Sequence, residues 1–199
     1  MVKHPLQEEP SVSMQNAIQS AVAAAGKVVT GVSPDQLDGP TPCSDFDMRA
    51  LGNHMTGFLP YAANAFRKGP DMEGEAPGFT QDNWSASYNA MAQDLVAAIG
   101  EDGALEGEIK FGAGTMPAAM AANITLLELT VHAWDLAKAT GQEYQLDSET
   151  AGMSAAITSE AGPNGREGGF FGPEVDAPEG ASEFEKALAV AGRDPNSSG

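Results

Sequence analysis

The segment Glu128-Leu129-Thr130-Val131-His132 sets a carboxylate and an imidazole four residues apart, one turn of helix along a single face. The chain has three histidines. His4 lies in a Pro- and Glu-containing N-terminal stretch and reads as tail. His54 and His132 fall inside apolar helical patterns, where an unpaired imidazole is costly to bury. Glu128 and His132 from one helix, with His54 from another, supply three nitrogen and oxygen ligands for a divalent metal. No fourth protein ligand is evident, so coordination positions would stay open, which marks a catalytic rather than a structural site. Zinc is the first choice for this ligand set, and nickel, manganese and iron(II) also accept it. Asp135, three residues after His132, is placed to orient a ligand imidazole or a bound water from behind. The competing reading is a hydrogen-bonded core network, with Arg49 pairing Glu128 or Asp135, or Lys138 pairing Asp135. Spacing alone leaves both readings open.

Other chemistry is weaker. His132 is followed by Ala-Trp-Asp-Leu, so the HExxH pattern of zincin proteases is absent. There is no GxxxxGK[ST], GxGxxG or GxSxG loop. Cys43 lies between Pro42 and Ser44 without any sign of activation and reads as a small packed residue.

The elements that must position these groups are helices. Met14, Ile18, Val22, Ala25 and Val29 form one apolar stripe and predict a helix from Ser13 to Thr30. Ser33-Pro34-Asp35-Gln36 reads as a short capped turn. A second helix starts at a cap, Asp45 or Asp47; Leu51, Met55, Phe58 and Ala62 give its apolar face, and His54 falls within it. Gly69 to Thr80 reads as a loop. Trp84, Tyr88, Met91, Leu95 and Ile99 predict a third helix over 81–99. Glu108 to Phe111 alternates and is either a small strand or an extended loop. A fourth helix, from Pro117 to Thr140 with Gly141 as its stop, is apolar nearly all round and therefore central. It carries one polar line: Thr125, Glu128, His132 and Asp135. A fifth helix spans Ser148 to Glu160, residues 161–181 read as loop, and Ser182 to Glu185 caps a last short helix ending near Gly192.

The whole is expected to be all-α, an up-down four-helix bundle with short additional C-terminal helices and loops. One domain over 13–195 follows, with flexible tails at 1–12 and 196–199. The net charge of -18 opposes phosphate backbones and anionic membrane surfaces, so nucleic-acid and membrane partners are not expected. One cysteine excludes an internal disulfide and fits a reducing cytoplasm. The N-terminal residues carry no apolar h-region, and no apolar run reaches the ~20 residues of a membrane span. Nothing in the composition sets the oligomeric state.

The residues also carry a resemblance. TPCSDFDMRALGNHMTG resembles the segment around the first ligand histidine in the N-terminal domain of mycothiol-dependent maleylpyruvate isomerase and its actinobacterial relatives. ELTVHAWDLAKATGQ resembles their second ligand segment, and FGPEVDAPEGASEFEKALAVAGRDP the C-terminus of the shorter, single-domain branch. The resemblance implies a DinB/YfiT-like metal-binding four-helix bundle. It implies a divalent metal, often zinc, on the positions held here by His54, Glu128 and His132. It further implies a low-molecular-weight thiol cosubstrate, mycothiol (bacillithiol in other relatives), used in isomerisation or S-transfer on a small electrophile. The isomerase itself has a further C-terminal domain, whereas this chain continues past the bundle only by short pieces. The expectation is therefore a thiol-dependent S-transferase or isomerase rather than the isomerase itself. In it Asp135 supports the ligands and Phe170 and Phe171 border the pocket. Hydrolysis by activated water, and a non-enzymatic metal- or ligand-binding stress-response module, are the alternatives.

Overall fold

The computed structural model describes residues 10–70, 72 and 84–197. His4 and most of Gly69 to Thr80 lie outside them. The elements run α1 (Pro10–Gly31), a 3-10 turn (Pro34–Gln36), α2 (Met48–Phe66), α3 (Trp84–Ile99), β1 (Glu108–Phe111), β2 (Gly114–Pro117), α4 (Ala118–Thr140), α5 (Ser148–Glu167) and α6 (Glu183–Val190). Among the described residues the protein is all-α apart from one antiparallel hairpin, in which Ile109 faces Met116 and Phe111 faces Gly114. The alternating piece before α4 is thus a strand, with Ile109 and Phe111 turned into the core.

Helix directions follow from which ends bond to which. The Gln142 amide donates to the Val28 carbonyl (3.0 Å) and Gln36 to that of Thr140 (3.3 Å), so α1 and α4 end together and run parallel. Gln15 near the start of α1 donates to the Ile99 carbonyl at the end of α3 (2.7 Å), so those two are antiparallel. Arg67, just past α2, pairs with Asp94 (2.9 Å) and Glu101 (2.7 Å) at the far end of α3. Hence α2 and α3 are parallel. Phe58 and Tyr61 pack on Phe111, ahead of α4, which makes α2 and α4 antiparallel. The order is up, down, down, up, the DinB-like bundle. The simple alternation expected from short connections holds for α1–α2 and α3–α4.

α4 is the central element, as its all-round apolarity requires. Ala118, Ala121, Ala122, Leu126, Ala133 and Leu136 have no solvent exposure. Against it lie Ile18, Ala21 and Ala25 of α1, Leu51 and Leu59 of α2, and Leu95 of α3. Gly141 ends α4 in the left-handed region (φ 68°), and the Gln142 amide closes the last turn on the Ala137 carbonyl (2.9 Å). Asp47 caps α2 by accepting from the Ala50 amide (2.8 Å).

α5 continues to Glu167, seven residues past the boundary that Gly162, Pro163 and Gly165 suggest. Tertiary packing overrides the breakers: α6 lies so close that a Cβ at Gly162 would stand 2.7 Å from Val190 Cγ1, and the segment after α5 folds back so that one at Gly165 would stand 2.5 Å from Phe171. Thr130 on α4 and Ser154 on α5 share a buried hydroxyl hydrogen bond (2.7 Å) that fixes the extra helix on the bundle.

Candidate metal centre

His54 is the seventh residue of α2, Glu128 and His132 sit mid-way along α4, and the antiparallel crossing brings them together. His54 Nε2 is 2.8 Å from Glu128 Oε2, and His132 Nε2 is 3.4 Å from the same oxygen. The donor atoms of all three lie within 4.8 Å of one another. Ligands of a tetrahedral zinc stand about 3.3 Å apart, given bonds of about 2.0–2.2 Å, so this donor set and its spacing fit a divalent ion. The side chains are 33% (His54), 27% (Glu128) and 11% (His132) exposed, so the cluster opens to solvent on the His54–Glu128 side and is closed behind His132.

Two features prepare the cluster for a cation. Burial pushes the Glu128 carboxyl up, but the hydrogen bond from His54 and the charges of His132, His54 and Arg193 outweigh it and hold the group below its ordinary value. Behind His132, Nδ1 faces Asp135 Oδ2 at 3.0 Å, which leaves Nε2 to the shared face. This is the carboxylate–histidine arrangement that orients metal-bound imidazoles.

The connection between α1 and α2 builds one wall. Met48 N donates to the Gly39 carbonyl (3.0 Å) and Phe46 N to that of Cys43 (3.1 Å), and Thr41 Oγ1 donates to the Phe46 carbonyl (2.6 Å). The compact loop lays the Phe46 ring over His54 (centroids 4.8 Å, interplanar 24°) and edge-on to His132 (5.9 Å). Stacking of this kind restricts the imidazole. A cavity of about 10 Å³ beside Glu128 is lined by Met55, Phe58, Tyr88 and Leu129, close to the volume of one water. Tyr88 is buried, its hydroxyl has no hydrogen-bond partner, and burial pushes the phenol well above its ordinary value.

Several sequence expectations are corrected here. Arg49 pairs with Asp38 (2.9 Å), not with Glu128 or Asp135, and Lys138 donates to the Pro195 carbonyl (2.9 Å). The cation on Asp135 is Arg193, at 3.1 Å from Oδ2 and 3.3 Å from Oδ1. Fifty-eight residues separate the two, and no periodicity links them. Phe170 is 80% exposed and lies past α5, Phe171 packs on Gly165, and neither borders the cavity beside Glu128. Thr125, though on the polar line, donates to the Ala121 carbonyl of its own helix (2.8 Å). Cys43 is a small packed residue as expected, 6% exposed. Its sulfur nonetheless lies within 4.8 Å of His132 and Asp135. Burial pushes its thiol up, and Asp135 is already taken by Arg193 and His132, so this second grouping is not a cation site.

A hollow of about 420 Å³ lies elsewhere, between the end of α2 and the hairpin, with Tyr61, Asn64, Lys68, Glu108 and Lys110 in its wall. It contains none of the three ligand residues. Among the described residues, no helix is long and apolar enough to cross a membrane.

Two curated proteins of Mycobacterium tuberculosis, both described as uncharacterized, one from strain CDC 1551 / Oshkosh and one from strain ATCC 25618 / H37Rv, are each 30% identical over 187 residues, covering 93% of this chain and 98% of the relative. No solved structure matches. Residues 18–137, more than half of the chain and the span that carries all three candidate ligands, match the family model of the mycothiol maleylpyruvate isomerase N-terminal domain, and the chain belongs to that family.

Proposed function

We propose that this chain is a divalent-metal-dependent enzyme that joins a low-molecular-weight thiol, mycothiol, to a small electrophilic substrate, as an S-transferase or an isomerase. The observation that carries the reading is the convergence of His54 Nε2, His132 Nε2 and Glu128 Oε2 on one solvent-reachable point. Membership of a mycothiol-related family supports the choice of thiol. His54, Glu128 and His132 would hold the ion, zinc first among those that accept two imidazoles and a carboxylate. A bound divalent metal supplies positive charge that lowers the pKa of a neighbouring thiol, so that it is a thiolate at neutral pH.

The chain's own groups do the rest. Asp135 accepts the Nδ1 proton of His132 and keeps Nε2 turned to the centre. Phe46 holds the His54 ring from behind. Met55, Phe58 and Leu129 form an apolar wall on one side of Glu128. The thiolate sulfur would form the new bond to an electrophilic carbon as one bond of that carbon breaks: in an isomerisation a π bond, whose electron pair passes to the conjugated substrate oxygen and returns when the thiolate is expelled, and in an S-transfer the bond to a leaving group, which departs with the pair.

Elemental analysis of untagged protein, beside a Glu128→Ala/His132→Ala double variant, is the test. About one divalent ion per chain, absent from the variant, together with mycothiol conjugation that His132→Ala abolishes, is expected. Turnover without any thiol would show a hydrolase instead. No ion in either protein after incubation with each metal would remove the enzyme reading.

A further inference from the structure

Arg193 is contributed by the segment after α6, and it is 6% exposed. Its guanidinium lies against Asp135, which has no exposure, with Nε 3.3 Å from Oδ1 and Nη2 3.1 Å from Oδ2. Nη1 donates back to the Ala191 carbonyl (3.1 Å), so the fork is anchored at both ends. The backbone delivers it: Gly192 turns at φ 80°, and a Cβ there would stand 2.8 Å from Gly172. The Arg193 amide then bonds to the Leu188 carbonyl (2.9 Å). Burial pushes the guanidinium down, but the charge of Asp135 and its hydrogen bonds outweigh that and hold it above its ordinary value.

We propose that Arg193 is a positioning residue of the centre. Through the Asp135 carboxylate it fixes His132 as the tautomer protonated on Nδ1, with the Nε2 lone pair facing Glu128. A neutral imidazole carries its proton on one ring nitrogen only, and the partner of the other nitrogen decides which. Asp135 sets the choice only while its carboxylate plane is fixed. The bidentate guanidinium supplies that fixity, which a carboxylate on a single two-torsion side chain lacks. Arg193 thus takes both oxygens of Asp135, and His132 shares Oδ2 with it. That Nε2 would bind a metal rests on the proposed function; the tautomer does not.

Nitrogen-15 NMR of the histidines in the metal-free full chain, with a titration by zinc alone, separates the two. The unsubstituted chain is expected to show His132 protonated at Nδ1. In Arg193→Met the ring should move to a tautomer mixture, and zinc affinity should fall about 10–100-fold, the usual cost of losing such an outer partner. Arg193→Lys, which returns the charge without the fork, should recover only part of the loss. If Arg193→Met fails to fold, Arg193→Lys alone carries the test, and it should still show a measurable tautomer mixture and a smaller loss of zinc affinity. Retention of the Nδ1 tautomer and of zinc affinity in whichever of these variants folds would overturn the inference and leave the metal reading intact. A fixed tautomer in an unsubstituted chain that binds no zinc would instead overturn the metal reading alone.

Discussion

Glu128 is the residue on which the centre turns, because one carboxylate oxygen faces both imidazoles. Glu128→Gln keeps the shape, and its side-chain oxygen still accepts from His54, so the metal-free fold should keep its melting temperature. The negative charge is lost, and zinc affinity measured by competition with a chelator should fall by about tenfold or more, a change of about 1.4 kcal/mol or above. An unchanged affinity would mean that Glu128 serves only as the acceptor in a core network. The same residue shows what a sequence can reveal at this scale. Two of the three histidines and one carboxylate stand on apolar helical faces, and few other arrangements satisfy three such groups. Arg193 shows the opposite. It contacts Asp135 across fifty-eight residues, so Arg49 and Lys138 were equally good partners until the fold placed them.

At the scale of elements, the caps carry testable energy. Asp147 caps α5, accepting from Glu149 N (3.1 Å) and Thr150 N (2.9 Å), and it also accepts from the Ser20 hydroxyl of α1. The hydrogen bond from Ser20, then those from Thr150, lower its pKa from 3.8 to about 2. A depressed carboxyl stabilises the fold fully above its unfolded value and loses that contribution as pH falls through the folded one. The window is therefore from pH 3.8 down to about 2. Asp147→Ala should cost about 1 kcal/mol at neutral pH, and its deficit in denaturant midpoint relative to the unsubstituted chain should vanish toward pH 2; a deficit that persists there would assign the loss to packing. Helix existence and faces were legible because the apolar stripes recur every three or four residues. The extension of α5 was not, since Gly162 and Gly165 read as breakers until Val190 of α6 and Phe171 are seen to lie against them. Nor was the parallel pairing of α2 with α3, because a periodic stripe says which face is buried and nothing about direction.

For the whole molecule, the balance of 28 acidic against 10 basic residues means self-repulsion in the compact state. Raising salt from about 0.01 M to about 1 M shortens the screening length from about 30 Å to about 3 Å. The melting temperature should rise across that range in sodium chloride, and a flat or falling curve would show that local ion pairs such as Arg67 with Asp94 outweigh the net charge. The fold also separates two stages in the life of the chain. The four bundle helices are complete at Thr140, yet the guanidinium behind Asp135 belongs to residue 193. At about 5–20 residues per second of synthesis, roughly 3–10 s pass between the two. A nascent chain in that interval carries all three candidate ligands but not yet the guanidinium behind Asp135. On the proposed role of Arg193, the orientation of His132 would then wait on synthesis of the last residues rather than on completion of the four helices.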